Sequence, residues 1–95
     1  MRAYETMLVL KPDLEEETRD AVINKYEQVV AKEGGTVQPT TKLGKRRLAY
    51  EIKDYREGFY LLLNFEAATT TPAELERLLK IDENVLRYLT TVKEQ

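Results

Sequence analysis

The 95-residue sequence contains no cysteine, no histidine and no tryptophan. Without cysteine there can be no disulfide framework, no thiolate metal site and no thiol nucleophile. Without histidine the commonest general base is missing too. Glycines and prolines are few, four and three, and the segment Thr41 to Arg46 holds a single glycine, too few for a phosphate-cradling P-loop. Carboxylates are plentiful, but they gather in helix first turns and loops, where solvation accounts for them, rather than as a hydrolytic acid pair. None of their spacings matches a calcium-binding loop. No apolar run approaches the ~20 residues of a membrane helix. The opening Met1-Arg2-Ala3-Tyr4-Glu5 has no basic-then-apolar leader pattern. These absences set the expectation: a soluble cytoplasmic protein, not an enzyme, with no metal, no cofactor, no membrane contact and no small-molecule substrate.

What is present is a globular composition, 42% hydrophobic and 34% charged, in a chain of the right length for one domain over residues 1–95. Such a chain buries somewhat over ~60% of its extended surface, enough for one core without staples. The net charge is only −2, but its distribution is uneven. Residues 1–33 hold five basic and eight acidic side chains, and residues 57–95 hold four and seven. Between them, Lys42, Lys45, Arg46, Arg47, Lys53 and Arg56 face only Glu51 and Asp54. The plainer reading of this stretch is a solvated basic strand face. The sharper one is an edge that binds phosphates.

Periodicity supplies the elements. Residues 2–10 alternate, with Tyr4, Thr6, Leu8 and Leu10 on one side and Glu5, Met7 and Val9 on the other, as in a strand. Asp13, three residues before Glu16, reads as a capping box opening a helix with Glu15, Glu16 and Glu17 in its first turn. Leu14, Val22, Tyr26, Val29 and Val30 give that helix its inner face, and Gly34-Gly35 ends it. A bent edge strand follows from about Thr36 to Ile52, interrupted by Pro39 and Gly44, with Leu48, Tyr50 and Ile52 opposed to Arg47, Ala49 and Glu51. Lys53 to Gly58 reads as the turn of a hairpin, and Phe59 to Ala67 as the strongest strand. There Phe59, Leu61, Leu63 and Phe65 line one face, and Tyr60, Leu62, Asn64 and Glu66 a second face that is half apolar. Thr71-Pro72-Ala73-Glu74 reads as a threonine-capped helix start with Leu75, Leu78 and Leu79 on its buried side. Val85 to Lys93 alternates as a last strand.

Strand, helix, strand, strand, helix, strand is the split-βαβ, ferredoxin-like order. The expected fold is α+β: a four-stranded antiparallel sheet with its first and third strands central, both helices on one face and the other face open. That architecture alone does not name a function.

The chemistry favours RNA. Lys45-Arg46-Arg47 runs into Leu48-Ala49-Tyr50, placing permanent planar cations beside an aromatic on one strand. Alternation sends Arg46 and Arg47 to opposite faces. Tyr50 reads most simply as core packing with Leu48 and Ile52. Another RNA reading is a recognition motif with stacking aromatics on the third strand. Gly58-Phe59 and Leu62 fit its signature, whereas Glu57, Tyr60, Leu61 and Asn64 do not. Outside RNA binding stand a small-molecule regulatory module on the same fold and a homodimer joined through Tyr60 and Leu62.

The run Gly44-Lys45-Arg46-Arg47-Leu48-Ala49-Tyr50-Glu51-Ile52 resembles the bacterial small-subunit ribosomal protein six family (bS6). Met1-Arg2-x-Tyr4-Glu5, Pro12, Gly58-Phe59-Tyr60 and Asn84-Val85-x-Arg87 extend the resemblance over essentially the whole chain. It implies a ferredoxin-like structural component of the small ribosomal subunit. Such a component binds the central domain of small-subunit ribosomal RNA cooperatively with ribosomal protein eighteen during platform assembly, after protein fifteen has organised the junction. Carried over by position, Arg2, Arg46, Arg47 and Arg87 are the RNA candidates, joined by Lys45 and Lys93. Leu48, Tyr50, Tyr60 and Leu62 are the candidates for the protein partner, and the isolated chain is expected to be a monomer. Many relatives carry a tail past the last strand. This sequence runs to Lys93-Glu94-Gln95, so no tail contact enters the expectation.

Overall fold

The computed structural model describes residues 1–93. The expectation attached to the final Lys93-Glu94-Gln95 falls, for its last two residues, outside them. Seven elements follow in order: β1 (Arg2–Leu10), α1 (Glu16–Lys32), β2 (Thr36–Val37), β3 (Thr41–Ile52), β4 (Tyr55–Ala67), α2 (Thr71–Ile81) and β5 (Val85–Val92). β4 and β1 pair antiparallel at the centre, β5 flanks β1, and β2 and β3 both pair with β4 on its outer side. The expected second strand is thus two segments of one edge. Gln38, Pro39 and Thr40 separate them, because proline cannot donate to the ladder. The sheet counts five strands in the expected split-βαβ layout.

Both helices cover one sheet face. Tyr4, Leu8 and Leu10 of β1 and Leu61, Leu63 and Phe65 of β4 pack against Val22, Ile23, Tyr26 and Val30 of α1 and Leu75 and Leu79 of α2. The alternation read from β1 and β4 therefore holds residue for residue on the core side. Thr6, buried among them, bonds to the hydroxyl of Thr90 on β5 at 2.9 Å.

The helix ends depart from expectation in instructive ways. α1 starts at Glu16 with Glu15 as its cap residue and no capping side chain, so Asp13 is not part of a capping box. Instead, Asp13 accepts a hydrogen bond from the Tyr55 hydroxyl at 3.4 Å. Gly34 does stop the helix: it sits at φ 82°, its N–H donates to Ala31 O, and Gly35 N–H donates to Val30 O. That is the Schellman arrangement, which needs a residue free to turn left-handed. In α2, Thr70 and not Thr71 takes the cap position. The Thr71 N–H already closes a turn onto Ala68 O, and its side chain is buried inside the first turn.

Three irregularities shape the edges. Gly44 takes φ 90° at a bulge beside Leu43, where β3 slips one residue against β4. The β3–β4 turn is only Lys53-Asp54, both at positive φ (50° and 69°), the mirror-type hairpin turn. β4 consequently begins at Tyr55, four residues before the expected Phe59. After Tyr55, Arg56 and Glu57 are polar because this arm of the hairpin meets water. On β5 a bulge places Val85 opposite Leu10 and Arg87 opposite Val9. Val85 and Leu86 are both buried, and alternation resumes only from Arg87.

Candidate nucleic-acid interface

Paired residues on neighbouring strands share a sheet face, so the registers map the open side directly. One row across it reads Thr41, Leu62, Met7, Leu89; the next reads Gly44, Tyr60, Val9, Arg87. Leu62, Met7 and Tyr60 are half-buried and Leu89 is 51% exposed, so among the described residues the open side carries an apolar band with no covering layer. Asn64, Glu5 and Thr91 border that band on the side away from Arg87.

Val9 is completely buried although it lies on this open side. Gly58 explains it. A Cβ on Gly58 would clash with Val9 Cγ1 and lie 3.5 Å from Leu48 Cδ2. The missing side chain admits Val9 and lets Leu48 come down over the same spot. The outer arm of the β3–β4 hairpin therefore leans toward the open face.

Beyond Arg47 that arm is distorted. Arg47 opposes Glu57 and Ile52 opposes Tyr55. The four residues Leu48 to Glu51 therefore arch over the single residue Arg56. The arch breaks the alternation assumed for Leu48, Tyr50 and Ile52, and Tyr50 is not a core residue: it is 61% exposed. Its hydroxyl instead accepts a hydrogen bond from Nη1 of Arg87 at 3.4 Å. Arg47, Leu48, Tyr50, Glu51 and Arg56 surround a cleft of about 300 Å³ in the arch. Glu51 there accepts from Arg56 Nε at 3.1 Å.

The cations expected to meet RNA are divided by this geometry. Arg46 pairs opposite Gly58 on the open side, where Arg87 and Tyr50 also lie. Lys45 and Arg47 oppose Phe59 and Glu57 and so belong to the helix side of the edge. Arg2, opposite Ala67, is at the other end of β1, as is Lys93, whose N–H donates to Ala3 O. Lys93, just past β5, stands six positions from Arg87, about 20 Å at strand rise. Among the described residues the four ion pairs use Lys25, Lys42, Arg56 and Arg77, and none uses Lys45, Arg46, Arg47 or Arg87. Of the four expected partner residues, Tyr60 and Leu62 lie in the open face, and Leu48 and Tyr50 lie in the arch at its border.

Phe59 cannot serve as a stacking platform. It faces α1, and the guanidinium of Arg19 sits 3.9 Å from its ring centroid. Three open-face residues stood outside the expected sites: Met7, Leu89 and Arg56. Alternation from Arg87 puts Leu89 on the same face and could have found it; Arg56 was named only within the basic stretch, and the arch gives it its place in the cleft.

Known proteins share this sequence pattern and this fold. The family description "Ribosomal protein S6" matches residues 3–92. Small ribosomal subunit protein bS6 of Desulfitobacterium hafniense is 50% identical over 94 residues, covering 99% of both chains. The bS6 protein of Exiguobacterium sibiricum is 45% identical over 95 residues, covering 100% of both. The crystal structure of 30S ribosomal protein S6 from Thermotoga maritima superposes with a TM-score of 0.89 at 27% identity, over 97% of this chain and 87% of that one. The chain thus belongs to the ribosomal protein S6 family, whose members are structural components of the small ribosomal subunit in the cytoplasm and not enzymes.

Proposed function

We propose that this protein binds the central domain of small-subunit ribosomal RNA cooperatively with ribosomal protein eighteen during assembly of the platform. The observation that carries this reading is the adjacency of two chemistries on one sheet face. An uncovered apolar band of Met7, Leu62 and Leu89 adjoins Tyr60 and the cations Arg87 and Arg46, neither of which has an acidic partner among the described residues. Apolar surface of this kind suits a protein neighbour. Arginine suits phosphates, being planar, permanently charged and able to bind in a bidentate manner.

The net charge of −2 argues that the free monomer binds RNA weakly. A basic partner supplies most of the phosphate neutralisation, and this chain contributes a rigid platform and a few arginines. Arg46 and Arg87 form the central RNA contact, with Lys45 and Arg47 on the flank of the same edge and Arg2 and Lys93 at the far end. Tyr60 and Leu62 take the partner, with Leu48 and Tyr50 at the border of the two surfaces. Binding of a central-domain RNA fragment, measured with and without ribosomal protein eighteen, tests the reading. Tight binding only with the partner supports it; equally tight binding by the isolated chain at physiological salt removes the cooperative part, and no binding in either case removes the whole.

A further inference from the structure

The arch of β3 is more than a strand irregularity, because it makes a cleft where a strand pair has none. Four residues, Leu48 to Glu51, stand over Arg56 alone. The resulting space of about 300 Å³ has Leu48 and Tyr50 as its apolar lining and Arg47, Arg56 and Glu51 as its polar lining. Tyr50 contributes an exposed ring held at its hydroxyl by Arg87. Arg47 is in no ion pair among the described residues, and Arg56 uses only its Nε on Glu51.

We infer that this cleft holds one unpaired nucleotide of the bound RNA, its base against the Tyr50 ring and its phosphate on Arg47 and Arg56. The inference rests on the RNA-binding reading above and narrows it: the arch recognises single-stranded RNA, not duplex. An exposed aromatic ring bordered by arginines is the element that takes up unstacked bases, since every base has a π face to offer. A duplex presents its phosphates but keeps its bases stacked, so it could use the arginines and not the ring. The arch also explains why Tyr50 is on the surface at all, when its strand neighbours Leu48 and Ile52 are half-buried. Glu51 is the one opposing charge in the cleft. Its pairing with Arg56 tempers the site, so the carboxylate limits affinity for any phosphate bound there.

The test uses the full chain at low salt, titrated with a five-nucleotide single-stranded RNA and with a blunt RNA duplex containing the same sequence. Tyr50 ring protons are followed by NMR and affinity by fluorescence anisotropy. Stacking moves the Tyr50 ring resonances upfield with the single strand and leaves them in place with the duplex. Tyr50→Phe keeps the affinity, whereas Tyr50→Leu loses about tenfold for the single strand and nothing for the duplex. Glu51→Gln tightens both complexes. An unmoved Tyr50 ring overturns the inference, as does an equal loss for both RNAs in Tyr50→Leu. So does a Tyr50 shift that appears only when ribosomal protein eighteen is added without RNA, which would assign the cleft to the protein neighbour. All three results would leave the proposed function standing. Capture of the single strand through Tyr50 with no binding of the central-domain fragment would remove that function and keep the cleft.

Discussion

Nη1 of Arg87 on β5 donates to the hydroxyl of Tyr50 on the β3 arch at 3.4 Å, joining residues 37 apart in sequence across the open side of the sheet. The bond is long and exposed, so its own contribution to stability is small. Its consequence is positional: the arm of the hairpin and the outermost strand present their aromatic and cationic groups as one patch. Tyr50→Phe should therefore change unfolding free energy by less than about 0.5 kcal/mol, measured by urea denaturation.

Gly58 should resist substitution. Any side chain there collides with Val9 and crowds Leu48. Gly58→Ala should destabilise the protein by about 1–3 kcal/mol, the usual range for overpacking. The double variant Gly58→Ala with Val9→Ala should recover part of the loss, because the colliding atom is Val9 Cγ1. Denaturant midpoints of Gly58→Ala, Val9→Ala and the double variant check this coupling.

The open face and the core face of the sheet should respond oppositely. Leu61 is fully buried, and Leu61→Ala should cost about 2–5 kcal/mol of stability. Leu89 lies uncovered on the other side, and Leu89→Asp should leave stability within about 0.5 kcal/mol. Capture of ribosomal protein eighteen should behave in reverse, weakening at least about tenfold in Leu89→Asp because a charge would be buried in the apolar band. Parallel denaturation and binding titrations separate the two effects.

Tyr26 supplies a pH dependence. Its ring is buried and its hydroxyl donates to Asp82, whose carboxylate also receives the Asn84 N–H at 2.9 Å and lies 3.6 Å from Lys25 Nζ. Burial first, and the hydrogen bond to Asp82 second, hold the phenol pKa well above its ordinary 10.0. Below pH 10 both folded and unfolded states keep the proton, and the native stabilisation is complete. Above it the unfolded chain releases the proton first, so stability falls as pH rises, by up to about 1.4 kcal/mol per unit from this group. Tyr26→Phe should lose about 1–3 kcal/mol at neutral pH, because Asp82 is left short of a donor. It should also show a shallower decline above pH 10. Urea denaturation of both proteins at pH 8 to 11 tests the difference.

The regular parts of this fold were legible because their causes are local. The two-residue alternation of β1 and β4, the helical spacing of Val22, Tyr26 and Val30, and Gly34-Gly35 each act through neighbours a few positions away. The candidate site could be proposed from composition, but its layout could not. Arg46, Arg47, Arg87 and Tyr50 could be named, yet alternation alone made Tyr50 a core residue. The arch depends on a mismatch in strand lengths between Arg47–Ile52 and Tyr55–Glu57, which no single strand reveals. The bulge before Arg87 escaped for the same reason. Val85 and Leu86 are simply two apolar residues until it is known that Leu10 opposes Val85 and Val9 opposes Arg87, with Leu86 between them unpaired. Asp13 and Thr71 show the converse limit. Each fits a capping pattern in sequence, and in each case a neighbouring turn or tertiary hydrogen bond took precedence.

The salt dependence of RNA binding tests the central claim most directly. Association of a central-domain ribosomal RNA fragment with this protein and ribosomal protein eighteen together is measured over a range of salt concentrations, for the wild type and for Arg46→Ala with Arg87→Ala. Loss of two phosphate contacts should weaken binding and reduce the slope of log K against log salt by about two. An unchanged slope would contradict it, showing that the cations on the open face do not touch the RNA.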